Sequence, residues 1–303
     1  MITSKGDNMI SQIDDTFSEI LTMKAVRVLI TARTKELAYE CARTTTGFGV
    51  SIIMSPAECA IERAVDFSDT PDNRPGYIIQ IHHYKLEKLE HQVLARLSQS
   101  VLTAPTANVY DWMPNSDVEG YFKMGRKIAY FGDGYEFKTR KFGRDVWIVP
   151  RMDIPFIIDE NISYTTSFSG NFTIFADTLE HAYNAAIKAA NAVRTIEGVV
   201  SMGTKGIIAS ASKAGSEKYR FLVASANLAI YPMLRGKYPK TRVPNGGNYA
   251  YELVISAINF ELLKEGFASG IQTALKSEGV VFVTASNFGG RLGKKKIYLR
   301  ELF

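Results

Sequence analysis

The sequence predicts an α+β protein of two lobes, each an antiparallel sheet with helices on one face. Three observations carry that expectation. Strand-like and helix-like periodicities alternate as four successive strand-helix-strand units. The units fall into two pairs, and a tandem pair is the βαββαβ pattern of a ferredoxin-like α/β sandwich. The chain has 303 residues, enough for two ordinary lobes. The join is placed at VWIVPRMDIPF, so that residues 1–148 form the first lobe and 149–303 the second. A single doubly wound parallel sheet is the alternative. It is disfavoured because the units pair off and no phosphate-binding strand-to-helix loop appears.

The first unit opens with AVRVLIT, where Val26, Val28 and Ile30 alternate with other residues as in a half-buried strand. A helical pattern around Leu37, Cys41 and Ala42 follows, and then the apolar run VSIIM, Val50 to Met54, as the returning strand. The second unit starts with YIIQI at Tyr77. Its helix places Leu86, Leu89, Val93 and Leu97 on one face. SVLTA, Ser100 to Ala104, reads as the next strand, stopped by Pro105.

The third unit starts with FTIFA at Phe172. Asp177 followed by Glu180 resembles a capping box, and the helix buries Leu179, Ala182, Ala186, Ala189, Val193 and Ile196. It ends at EGVV, Glu197 to Val200, and IIAS at Ile207 reads as strand. The fourth unit starts with YELVIS at Tyr251. Asn259 is the expected N-cap, and Leu263, Phe267, Ile271 and Ala274 form the stripe. A second EGVV, from Glu278, leads into the strand VFVT.

Composition bounds the function. The content is 46% hydrophobic and 22% charged, as in a globular protein. No apolar run approaches the ~18 residues of a membrane span, and the first twenty residues carry four acids and no secretory signal. Two cysteines, Cys41 and Cys59, make no disulfide framework and point to a reducing cytoplasm. His82, His83, His91 and His181 have no metal-ligand spacing. The net charge of +5 suits anionic small ligands; no basic, aromatic-laced run suggests nucleic acid. The glycine-rich stretch TASNFGGRLGKKK, Thr284 to Lys296, fits no nucleotide motif and locally reads as a turn before a basic strand.

Ten collinear segments carry a more specific signal: IDDTFSE at Ile13, TTGFGVSIIMSPAE at Thr45, TPDNRPG at Thr70, LTAPTA at Leu102, FGDGY at Phe131, GNF at Gly170, ASASKAGS at Ala209, YELVIS, SNFGGRLG and the final ELF. Together they resemble the formylmethanofuran:tetrahydromethanopterin formyltransferases over nearly the whole chain. The resemblance implies an enzyme of archaeal one-carbon metabolism and methanogenesis, moving a formyl group between methanofuran and tetrahydromethanopterin. It implies no bound cofactor, the two coenzymes being substrates, and a homo-oligomer, dimer or tetramer, with an active cleft near a subunit interface. It further implies Glu252, the acid of the YELVIS strand, as catalytic. A carboxyl between Tyr251 and Leu253 is expected to have a raised pKa and to donate a proton. Asn287, Gly289 and Gly290 are expected to line the cleft, with Lys213, Arg291 and Arg74 for coenzyme carboxylates and phosphate and Thr103, Thr106, Ser210 and Ser212 as hydrogen-bond donors. Some segments depart from the family pattern, among them SFSGNF at Ser167 and SMGTKG at Ser201. Two other readings therefore stand beside a self-sufficient enzyme: a subunit of a formyltransferase/hydrolase assembly, and a non-catalytic coenzyme-binding paralogue.

Overall fold

A computed structural model of the chain describes residues 10–287, 290 and 293–303. It is a mixed α/β structure with mostly antiparallel sheet and few helices. Contacts divide it into two compact units, Met23–Ser167 and Met1–Thr22 with Phe168–Phe303. The join expected after residue 148 falls inside the first of these.

In the Met23–Ser167 unit, strand β1 (Phe17–Thr31) is followed by α1 (Lys35–Thr46), β2 (Glu58–Val65), β3 (Gly76–His83), α2 (Leu86–Arg96) and β4 (Asn108–Asp111). The strands lie in the order β2-β3-β1-β4, antiparallel throughout. Val26, Val28, Ile30, Ile79 and Ile81 pack with Cys41, Leu89 and Val93 on the helical face. Strands β5 (Gly120–Phe122), β6 (Phe137–Lys141), β7 (Arg144–Val149) and β8 (Phe156–Asp159) follow, with the short helix α3 (Met124–Ala129) after β5. Val146, Ile148 and Ile157 of β7 and β8 cover Leu29, Ile78 and Tyr110 on the opposite face. AVRVLIT is therefore buried on both faces rather than one. The VWIVPRMDIPF stretch is the antiparallel β7–β8 pair and its connection.

Two returning strands lie elsewhere than the apolar runs suggest. VSIIM is a turn, closed by Ser55 N–H to Ser51 O at 2.8 Å, and its Met54 is 80% exposed. Pro56 cannot continue a ladder, and pairing begins at Glu58, in a segment whose acids hid the strand pattern. SVLTA extends helix α2 as a wide turn, Leu102 N–H reaching Leu97 O at 2.9 Å, which buries Val101 without a sheet. The strand is β4, after Pro105.

The other unit contains β9 (Ile162–Ala176) from Phe168 onward, α4 (Leu179–Arg194), β10 (Val199–Ser201), the small hairpin β11 (Ser212–Ala214) with β12 (Ala224–Ala226), β13 (Tyr249–Ala257), α5 (Phe260–Leu275), β14 (Val280–Thr284) and β15 (Lys295–Tyr298). Its main strands lie in the order β10-β13-β9-β14, again antiparallel. Ala185, Ala186 and Ala189 of α4 and Phe267 and Ile271 of α5 pack on Phe172, Ile174, Leu253 and Ile255. β15 pairs with the start of β1, Phe17 opposite Tyr298 through Ile20 opposite Lys295.

Three expectations change here. The N-cap of α4 is Thr178, which accepts from His181 N–H, whereas Asp177 holds the His181 ring at 2.7 Å. Leu179, one residue into the helix, is 54% exposed rather than buried. IIAS makes only isolated bridges, Ile207 to Thr204 and Ile208 to Glu252; the returning strand is β10, inside EGVV and its following serine. Asn259 caps α5 as expected. Both EGVV glycines, Gly198 and Gly279, have positive φ, at 83° and 70°. Among the described residues no helix is long and apolar enough to cross a membrane.

Candidate functional site

Side chains alternate along β13. Tyr251, Leu253 and Ile255 pack toward the helices, and Glu252 stands on the other face. That face also carries Phe175 and Ala250 and is covered by a loop segment that contributes Ala211, Ile230 and Tyr231. Glu252 is 6% exposed. Its backbone is clamped to Ile208 by two hydrogen bonds, of 2.8 and 2.9 Å. Thr173 of β9 lies directly opposite it.

A cavity of about 50 Å³ opens beside the carboxyl, lined by Thr173, Ile208, Ala211, Ile230, Tyr231 and Glu252 among others. Burial pushes the Glu252 pKa up to about 8, and no charge or hydrogen bond offsets it. Burial, and then the nearby Glu252, also raise the Tyr231 phenol, which donates to Ala211 O at 3.1 Å. The carboxyl thus lies on an apolar bed where burial favours its protonated form.

The other anticipated residues divide between the two units. Ser210 is exposed, and its neighbours Ala209 and Ala211 line the Glu252 cavity. Ser212 and Lys213 sit half-buried on β11, where the Lys213 ammonium is 2.5 Å from the Glu217 carboxylate. Asn287 donates to Thr16 Oγ1 at 2.9 Å. Ser286 beside it donates its N–H to Asn171 Oδ1 at 3.0 Å, two residues along β9 from Thr173. The 209–211 stretch and Ser286 thus meet the face that carries Glu252.

Gly290 and Gly293 aim their N–H groups at an internal anion, the buried Glu19 carboxylate, at 3.2 and 2.9 Å. A Cβ on Gly293 would stand 2.3 Å from Ile20 O, so that position needs glycine for close backbone approach. Gly289 and Arg291 lie outside the described residues.

In the Met23–Ser167 unit, Arg74 is engaged by Asp72 at 2.5 Å and donates to Thr106 O at 2.5 Å. Thr106 takes a left-handed conformation, φ 60°. Its N–H reaches Asp153 Oδ2 at 2.6 Å. Thr103 bonds within its own turn, to Gln99 O at 2.7 Å, apart from that network. Among the described residues no group of three His, Cys, Asp or Glu side chains is placed to hold a metal ion.

Thr173 and Tyr231 also line the Glu252 cavity and are not among the residues expected from the sequence. A signal for Thr173 exists in GNFTIFA, where Asn171 and Thr173 alternate with Phe172 and Ile174, which marks a polar stretch on a strand otherwise read as core. Tyr231 lies in an irregular segment whose packing no periodicity encodes.

The family described as formylmethanofuran-tetrahydromethanopterin formyltransferase matches residues 8–151, and its proximal-lobe family matches residues 155–302. Two curated relatives of that name, from Archaeoglobus fulgidus and Methanocaldococcus jannaschii, are each 45% identical over 96% of this chain, covering 98% and 97% of their own lengths. The solved Methanosarcina barkeri formyltransferase superposes with a TM-score of 0.91 at 42% identity, over 96% of this chain and 98% of that one. A chain of the Methylorubrum extorquens formyltransferase/hydrolase complex, solved with methylofuran, gives 0.89 at 28% identity over 96% of both chains. With both halves matched and identity at this level over almost the whole length, the chain belongs to the formylmethanofuran–tetrahydromethanopterin formyltransferase family.

Proposed function

We propose that this chain transfers a formyl group between methanofuran and tetrahydromethanopterin, its two coenzyme substrates, by direct acyl transfer with Glu252 as the general acid. The observation that carries the chemistry is the buried, uncompensated Glu252 carboxyl beside its cavity. In the forward direction a pterin nitrogen attacks the formyl carbon. The tetrahedral intermediate then collapses as the carbon–nitrogen bond to the methanofuran amine breaks. Glu252 gives its proton to the departing nitrogen and regains one from the attacking nitrogen, so the carboxyl ends as it began. A carboxyl with an ordinary pKa would be ionised at neutral pH and could not donate. Placement of the two coenzymes supplies the remaining acceleration through proximity.

The proposed coenzyme contacts are Ser210, Ser212, Lys213, Asn287, Gly289, Gly290 and Arg291 in one unit and Arg74, Thr103 and Thr106 in the other. For an incoming anion, Lys213 would exchange its Glu217 partner. Each unit is read as a ferredoxin-like lobe, supported by the shared strand order 4-1-3-2 of a βαββαβ chain. A dimer or tetramer completes the proposal.

The test is purified protein with formylmethanofuran and tetrahydromethanopterin, followed by formyl-pterin absorbance, with Glu252→Gln beside it. Turnover lost in the variant supports the reading, and turnover unchanged in the variant removes Glu252 from it. A second reading, a subunit that works only within a larger assembly, is favoured by the likeness to the formyltransferase/hydrolase complex. It predicts coenzyme binding without turnover by the isolated chain.

A further inference from the structure

Glu252 and Thr173 face each other directly across β13 and β9, so their side chains rise from the same face of the sheet. Both line the one small cavity. Thr173 is 2% exposed, and its hydroxyl is buried without a hydrogen-bond partner among the described residues. The Glu252 carboxyl likewise gains no hydrogen bond from them. Leaving a buried hydroxyl unpaired is costly, and a valine would fill the same volume without that cost.

Two of the neighbouring hydroxyls are already engaged. Tyr231 donates to Ala211 O. On the far side of Thr173, Thr284 of β14 lies opposite it and donates to Asp14 Oδ2 at 2.6 Å. Asp14 is itself paired with Arg242 at 2.8 Å. The Tyr251 ring packs edge-on against Tyr183, toward the helices. The titratable and charged groups around the pair are therefore Tyr231 over the cavity, Tyr251 on the opposite face, and Asp14 with Arg242 beyond Thr284. The Thr173 hydroxyl is the group left uncommitted beside the acid.

We propose that Thr173 is a positioning residue for formyl transfer, its hydroxyl holding the Glu252 side chain in both of its protonation states. This rests on the reading of Glu252 as the acid. A hydroxyl both donates and accepts. With the two side chains turned toward each other, it accepts from the Oε–H of the protonated acid. When that O–H bond breaks and the proton passes to the departing amine nitrogen, the hydroxyl rotates and donates to the new carboxylate. No covalent bond to Thr173 forms, and the Glu252 side chain keeps its place between turnovers. The loss of the hydroxyl withdraws a donor from the ionised form, so it raises the acid's pKa.

The experiment compares Thr173→Val, Thr173→Ser and Glu252→Gln across pH. Thr173→Val is expected to lower kcat about tenfold with KM nearly unchanged, and to move the alkaline limb of the kcat profile to higher pH; Thr173→Ser restores both. An infrared readout needs no turnover. The carbonyl band of protonated Glu252, assigned by its loss in Glu252→Gln, shifts to higher frequency in Thr173→Val. If valine prevents folding, Thr173→Ala takes its place. A Thr173→Val profile and band that superimpose on wild type overturn the proposal, as do Val and Ser variants equally impaired. Retained activity in Glu252→Gln removes the acid reading itself. Activity lost there, with Thr173→Val unaltered, removes only the role of Thr173.

Discussion

The Glu252 carboxyl has a consequence for stability as well as for chemistry. Its pKa rises from about 4.5 to about 8 through burial. Between those values the folded chain holds a proton that the unfolded chain has released. Stability from this group therefore falls as pH rises through the window, by about 1.4 kcal/mol per pH unit. Glu252→Gln, neutral at every pH, is expected to melt progressively higher than wild type from pH 5 to 8. A constant gap between the two melting curves would contradict the raised pKa. The same variant should lose at least about a hundredfold in kcat. A different buried acid behaves differently. Glu62 receives two bonds from Arg27, at 2.8 and 2.7 Å, and one from Gln80 at 2.7 Å. Removal of Glu62 takes the bidentate carboxylate from the buried guanidinium, so Glu62→Ala is expected to cost about 3–5 kcal/mol in denaturant unfolding. Glu252 was singled out through the resemblance carried by YELVIS, and the burial expected for its carboxyl is observed. The Arg27–Glu62 pair was not legible, since neither partner shows in its own segment that the other will meet it.

At the scale of elements, helices and central strands were read well where periodicity and caps agree. The α5 stripe of Leu263, Phe267, Ile271 and Ala274 is buried, and Asn259 caps the helix. Reading failed where a pattern serves two structures. An apolar run such as VSIIM resembles a strand, yet the chain spends it in a turn, while the strand ECAIERAV carries three charges. The cap of α4 shows a finer version of the same ambiguity, because Asp177 and Thr178 are both good N-cap residues. The observed choice predicts that Thr178→Ala costs about 1 kcal/mol, with Asp177→Ala the milder change in the same thermal melt. Gly293, shortly before β15, offers a sharper test. Gly293→Ala would push a methyl into the Ile20 backbone. It is expected to weaken the β1–β15 pairing, seen as faster amide exchange at Glu19 and Lys296, which face each other in that ladder.

For the molecule as a whole, the number of strand-helix-strand units was legible; the join placed after residue 148 falls near the boundary of the two family matches, between 151 and 155, while the contacts group the chain differently. Periodicity reports local pattern, whereas the assignment of residues 10–22 to the unit that begins again at Phe168 depends on contacts between distant segments. A fragment of residues 149–303 lacks Phe17 to Ile20, the partners of β15, and Ile13, which bridges to Val283. It is therefore expected to give a poorly dispersed NMR spectrum, while residues 10–22 tethered to 168–303 give a better dispersed one; equal spectra would count against that partition. The β1–β15 pairing also bears on how the protein is made. The Phe17–Ile20 part of β1 finds its partner far along the chain, at Lys295–Tyr298. Contacts of such high order form slowly, and during synthesis Phe17 and Ile20 must wait, without this partner, until Lys295–Tyr298 emerges. The nascent protein is thus open to edge-to-edge association until β15 has emerged, and its yield should depend on chaperone capacity and growth temperature more than its finished stability would suggest.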